Sequence, residues 1–303
     1  MNARRDPPRS FAVTAALSLA LSGLALAPSK PVAADGEPAS SADGAMASYT
    51  LGVFPYLSVP ALESVFAPMA AELAAGVHRE VRFTTTSTYE EFDQKLKDGE
   101  YDIAYVQPFD YVSFAVPAGY RPLATGYDRI HPAFFVPERS PIKEALDLRG
   151  KSVGMPPRRS AASYLGLMTL IDAGLTPGRD VKVIHFSSHQ SCLQQAQIGN
   201  IEACVSAPDI VRMFRSQMNA RFRTVLECPA IPGSLFVAHP RIPEKERELM
   251  LKTLLATHLD GVPVALRRLF KEADQPDGRY FQPVRESDYD EIRRYLKVLN
   301  AEP

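Results

Sequence analysis

The sequence predicts an α/β protein made of two similar units, each a parallel-rich sheet flanked by helices, and three observations predict it. From residue 49 short apolar runs alternate with helix-length segments, the pattern of parallel strands joined by crossover helices. The same order restarts at Lys151. Two stretches also nearly repeat, KDGEYDIAYVQP at 97–108 and QIGNIEACVSAP at 197–208, so that Gly99, Asp102 and Pro108 recur as Gly199, Glu202 and Pro208.

The first 48 residues stand apart. Arg4, Arg5 and Arg9 precede FAVTAALSLALSGLALA, an uncharged apolar run at 11–27. A basic start followed by such a run reads as a signal peptide, marginal for crossing a bilayer. Pro28 disfavours cleavage after Ala27, so the leader is expected to span 1–34, ending in the small residues Val32-Ala33-Ala34. A disordered linker is expected at 35–48. Without a cysteine just after the apolar run there is no lipid anchor, and the mature protein is expected free in the periplasm. The Arg4-Arg5 pair lacks the apolar residues that follow it in twin-arginine signals, which favours general secretion.

The elements follow in order. YTLGVFPY (49–56) reads as a strand and Pro60 opens a helix to about Ala75. EVRFTTT, YEEFDQKLK, YDIAYV and PFDYVSFAV then alternate strand and helix. YRPLATGY and PAFFVP are further strands, leading into SPIKEALDLRG. After the restart come KSVGMP, SAASYLGLMTLIDAG, VKVIHF, HQSCLQQAQIG, IEACVSA and PDIVRMFRSQ, again strand and helix in turn. FRTVLEC and the Pro-rich PAIPGSLFVAHP follow, and the tail from Pro243 is helical in 244–261, 262–273 and 286–299. PAFFVPERSP and PAIPGSLFVAHP read as two crossovers, a two-strand hinge. They divide the mature chain into one lobe of 49–136 plus 238–303 and a second of 140–234.

This organisation explains the repeat. Gly99 and Gly199 each end a helix where a left-handed residue is needed. A buried strand follows, and Pro108 or Pro208 stands in the first helical turn, where a missing N–H costs nothing. Ligands of open α/β sheets bind beyond the carboxyl ends of the strands. The two segments therefore aim helix N-termini at one cleft, an arrangement that favours an anion. Asp102 and Glu202, at the opposite strand ends, read as fold residues.

Taken in order, EEFDQKLKDGEYDIAYVQPFDYV, LDLRGKSVGM, SSHQSCLQQAQIGNIEACV and IPGSLFVAHPRIPEKERELM resemble the phosphate, phosphite and phosphonate periplasmic binding proteins of ABC importers, over about residues 50–260. The resemblance implies a two-lobed, type II binding-protein fold with a hinged cleft, a small oxyanion as ligand and a membrane permease as partner. It implies ligand contacts at Tyr89, at Gln107 among the residues after the third strand, at His189 and at Asp209; Tyr56, at the end of the first strand, joins them. The family's run of hydroxyls at a helix start falls on Arg158-Arg159-Ser160-Ala161-Ala162-Ser163. Two hydroxyls are thus replaced and two guanidiniums added, so Arg158, Arg159, Ser160 and Ser163 are the expected clamp. The family's Asp that can hold a substrate amine falls at or near Ser234. A small oxyanion without an amine is therefore expected, held by planar, charge-assisted arginine donors.

Cys192, Cys204 and Cys228 allow one disulfide and leave one thiol. A second reading draws on them: Cys204, on a strand running to the cleft, would bind an arsenite-like metalloid, and the protein would signal to a membrane histidine kinase. Ser160, His189 and Asp209 are the residue types of a hydrolytic triad, but no G-x-S-x-G elbow surrounds Ser160 and no metal or dinucleotide motif is present. An enzyme, a cofactor and a metal are accordingly not expected. With 34 basic and 35 acidic residues nothing argues for nucleic acid, and a monomer is expected.

Overall fold

The computed structural model describes residues 48–257 and 279–301. The expected leader, nearly all of the linker and the expected helix at 262–273 lie outside the described residues. The chain opens with β1 (Tyr49–Val53), α1 (Val59–Val77), β2 (Val81–Thr85), α2 (Tyr89–Lys97), β3 (Ile103–Val106) and a short α3 (Pro108–Asp110). α3 runs into a π-helical turn at Tyr111–Ala115. Then come β4 (Arg121–Gly126), β5 (Arg129–Ile130), β6 (Ala133–Pro137) and β7 (Ser152–Met155). They are followed by α4 (Ala161–Asp172), β8 (Lys182–His185), α5 (His189–Gln197), β9 (Ala203–Ser206) and α6 (Pro208–Met218). The chain continues through β10 (Phe222–Glu227), β11 (Ile231–Pro232), β12 (Leu235–Ala238), α7 (Glu244–Ala256) and β13 (Phe281–Pro283). The last described helix is α8 (Asp290–Ala301).

Two larger sheets form, in the orders β13-β4-β12-β3-β1-β2 and β10-β6-β9-β7-β8. Each is built round a parallel trio, β2-β1-β3 or β8-β7-β9, extended by an antiparallel strand, β12 on β3 or β6 on β9. The registers repeat as well: Gly52 lies opposite Ala104 as Gly154 lies opposite Cys204. All four positions of β3, β9 and β12 are buried, as expected of strands covered on both faces.

The duplicated grammar has the geometry it implied. Gly99 and Gly199 adopt φ of +67° and +81°, the left-handed region that a side chain would strain. Pro108 and Pro208 open α3 and α6. The paired acids close the strand starts: Thr50 N donates to Asp102 Oδ2 at 2.9 Å, and Ser152 N to Glu202 Oε2 at 2.8 Å.

The first crossover sits earlier in the chain than its Pro-bordered run suggested, and the second at the start of its run. Ala133–Pro137 is a strand of the second sheet and Leu235–Ala238 a strand of the first. The chain crosses instead at β5 and β11, which pair antiparallel with Ile130 opposite Ile231. Pro132 and Pro137 frame β6 because a proline without an N–H is tolerated where a strand starts or ends. They mark the ends of a strand, not a crossing.

Candidate functional site

A cleft of about 200 Å³ is lined by residues that directly follow the carboxyl ends of the parallel strands of both sheets. Phe54 and Tyr56 follow β1, Tyr89 starts α2, Gln107 follows β3, Ser160 to Ala162 start α4, His189 starts α5, and Ala207 to Ile210 start α6. Several helix N-termini thus converge on one volume, presenting amides and positive dipole ends. The crossovers close it, through Asp128 to Pro132 and Ser234.

The first lobe's wall is aromatic. Phe54 stacks on Tyr56 with centroids 4.6 Å apart and lies 5.8 Å from Tyr105 and 6.0 Å from Tyr89. The Tyr56 hydroxyl is buried without a hydrogen-bond partner among the described residues, and burial raises its pKa. Opposite stands His189, whose Nδ1 lies 2.9 Å from Ser206 Oγ. Burial lowers its pKa to about 4, so the imidazole is neutral, offering one donor and one acceptor. Ser160 caps α4, its Oγ accepting from Ser163 N at 3.3 Å. Asp209, in the first turn of α6, pairs with Arg212.

Of the residues expected from sequence, Tyr56, Tyr89, Gln107, Ser160, His189 and Asp209 line this cleft, and Arg158, Arg159, Ser163 and Cys204 do not. Arg158 is exposed. Arg159 turns away to Asp93, Nη2 to Oδ2 2.8 Å, because two buried carboxylates behind the cleft wall attract it more strongly than an open cleft. Ser163, in the first turn of α4, is buried and donates to the Pro156 carbonyl at 3.0 Å. Cys204 is fully buried in a disulfide with Cys192, which ties β9 to α5. Cys228 is the free cysteine among the described residues; it is buried, and its thiol pKa is pushed up to about 12. The thiol reading therefore fails, since no thiolate faces the cleft.

Sequence reasoning missed Asp128. It lies between β4 and β5, lining the cleft, and burial raises its carboxyl to about 6. Glycines leave room for it: a Cβ on Gly126 would stand 2.0 Å from Asp128 Oδ1, and one on Gly233 2.7 Å from the Asp128 carbonyl. No basic side chain among the described residues pairs with it. The one available signal is its position in GYDRIHP beside the crossover at β5, whereas the Pro-bordered run points to a crossover later in the chain.

The sequence model of the family described as "ABC transporter, phosphonate, periplasmic substrate-binding protein" matches residues 51–289. The chain belongs to this family. Its fold is likewise that of solved relatives. PhnD1 from Prochlorococcus marinus, in complex with methylphosphonate, is 14% identical, with 84% of this chain and 98% of that chain covered and a TM-score of 0.69. A binding protein component of an ABC phosphonate transporter from Pseudomonas aeruginosa is 15% identical over 84% of this chain and 86% of that chain, with a TM-score of 0.67. The aliphatic sulphonate binding protein SsuA from Escherichia coli is 16% identical over 84% and 91%, with a TM-score of 0.56. The two sheets are therefore the lobes of a type II periplasmic binding protein. As a member of the phosphonate family, the chain is a periplasmic component of an ABC transporter that captures a small ligand and serves a membrane permease.

Proposed function

We propose that this chain captures a small phosphonate carrying an amine and delivers it, as a monomer, to the permease of an ABC importer. The lobes are taken as residues 48–128 with 233–257 and 279–301, and 131–230, hinged at β5 and β11. Asp128 carries the reading. A buried carboxylate without a cationic partner is costly, and a ligand ammonium placed beside it relieves that cost. The faces of Phe54, Tyr56 and Tyr105 add cation–π attraction at the same end. The anionic end is assigned to the N-termini of α4 and α6, with Tyr89, Ser160 and the neutral His189 as donors. The expectation of an amine-free ligand rested on Ser234 in place of the family's Asp and on arginine donors; Asp128 lines the same cleft as Ser234, and the Arg159 guanidinium is engaged with Asp93.

Calorimetry with 2-aminoethylphosphonate and ethylphosphonate tests this directly. The amine should improve affinity at least about tenfold, or roughly 1.4 kcal/mol. Asp128→Asn should erase the preference while leaving ethylphosphonate within about threefold of its wild-type affinity. Equal affinity of the wild type for the two compounds would sink the proposal.

A further inference from the structure

Arg159 joins the lobes without entering the cleft. It follows β7 of the second sheet, whereas its partners belong to the first. Its Nη2 lies 2.8 Å from Asp93 Oδ2, on α2, and 3.9 Å from Asp110 Oδ1, on α3. Its Cζ stands 4.6 Å above the Phe114 ring. The carboxyls are 4% and 0% exposed and the Arg159 side chain 27%, so the acids are buried and the guanidinium covers them from the boundary.

Neighbouring groups bridge the same boundary. Gln107 Nε2 donates across the boundary to the Arg159 carbonyl at 2.5 Å, and is itself held within the first lobe by Asp110 Oδ2 at 2.7 Å. Gln107 Oε1 accepts from the Ala161 amide at the start of α4, 2.7 Å away. Phe109 of α3 stacks on Tyr164 of α4 with centroids 4.4 Å apart. The contacts that cross the boundary join protein to protein, so they favour closure whichever ligand the cleft holds. Arg159 Nε and one oxygen of each carboxyl lack hydrogen bonds. Unpaired buried polar atoms of this kind lower the net gain of an ion pair.

We infer that Arg159 is a closure latch, which sets affinity by shifting the balance between open and closed lobes and not by touching the ligand. The inference rests on the hinged cleft and is independent of which phosphonate fills it. Because every ligand draws on the same closed population, weakening the latch lowers all affinities by a common factor.

The test combines small-angle scattering of the purified, ligand-free protein with calorimetry on 2-aminoethylphosphonate and ethylphosphonate. Arg159→Gln should enlarge the ligand-free radius of gyration relative to wild type. It should also weaken both ligands equally, by about tenfold. An unchanged radius overturns the latch, and so does a loss more than about threefold greater for one ligand, which would make Arg159 a ligand contact. If Arg159→Gln loses its cooperative melting, Asp93→Asn, of nearly the same shape, is judged by the same two measurements and criteria. If wild type binds neither compound, the substrate reading fails alone, and the scattering comparison still decides the latch.

Discussion

Tyr56 shows how a binding residue is held at a cost to the fold. Its ring is well packed against Phe54, but its hydroxyl is buried with no partner among the described residues. An unsatisfied buried hydroxyl destabilises a protein, whereas a partner supplied from the cleft restores the bond. Tyr56→Phe should therefore raise stability by about 1 kcal/mol, measured by denaturant unfolding. The same change should weaken phosphonate binding several-fold by calorimetry. A variant less stable than wild type would show that the hydroxyl has a partner within the protein.

Elements were legible in the sequence to the extent that their signals are local. Gly99 and Gly199, Pro108 and Pro208, and the acids Asp102 and Glu202 act within a turn or across one strand pair, and all six take the predicted places. What was hidden depends on groups distant in sequence. Arg159 is drawn to Asp93, 66 positions earlier, and nothing near Arg159 announces that partner. Asp128 is a site residue because Gly233, on the other crossover, leaves it room. The disulfide is intermediate: its cysteines are 12 residues apart, but three cysteines left the pairing open. It ties α5 to β9, while His189 is held separately through Ser206. Cys204→Ser should therefore cost roughly 2–4 kcal/mol in unfolding experiments, through the freed chain entropy of the unfolded state. Ligand affinity should stay within about threefold at a temperature where the variant is folded. A large loss of affinity in the folded variant would mean that the disulfide positions the cleft residues.

At the scale of the whole molecule the buried groups pull stability in opposite directions with pH. Burial raises Asp128 and Asp93 from 3.8 to about 6, and burial together with the neighbouring Asp93 raises Asp110 well above 3.8. A raised pKa means that the native state holds more protons than the unfolded chain. The stability Asp93 and Asp128 contribute is thus full below 3.8 and is lost as pH rises through about 6. His189 works the other way. Its pKa falls from 6.5 to about 4, so its contribution is full above 6.5 and is lost as pH drops through about 4. The windows overlap between those limits, and each single replacement should tilt the profile differently. Relative to wild type, Asp128→Asn should gain stability as pH rises from about 4 to 7, by on the order of 3 kcal/mol in total. His189→Asn should drift the opposite way over the same range, since it lacks the group whose contribution grows with pH. Melting temperatures of the three proteins across this range are sufficient to test it. Parallel profiles would mean that neither Asp128 nor His189 is desolvated as the fold implies, and the carboxylate assigned to the ligand amine would lose its physical basis.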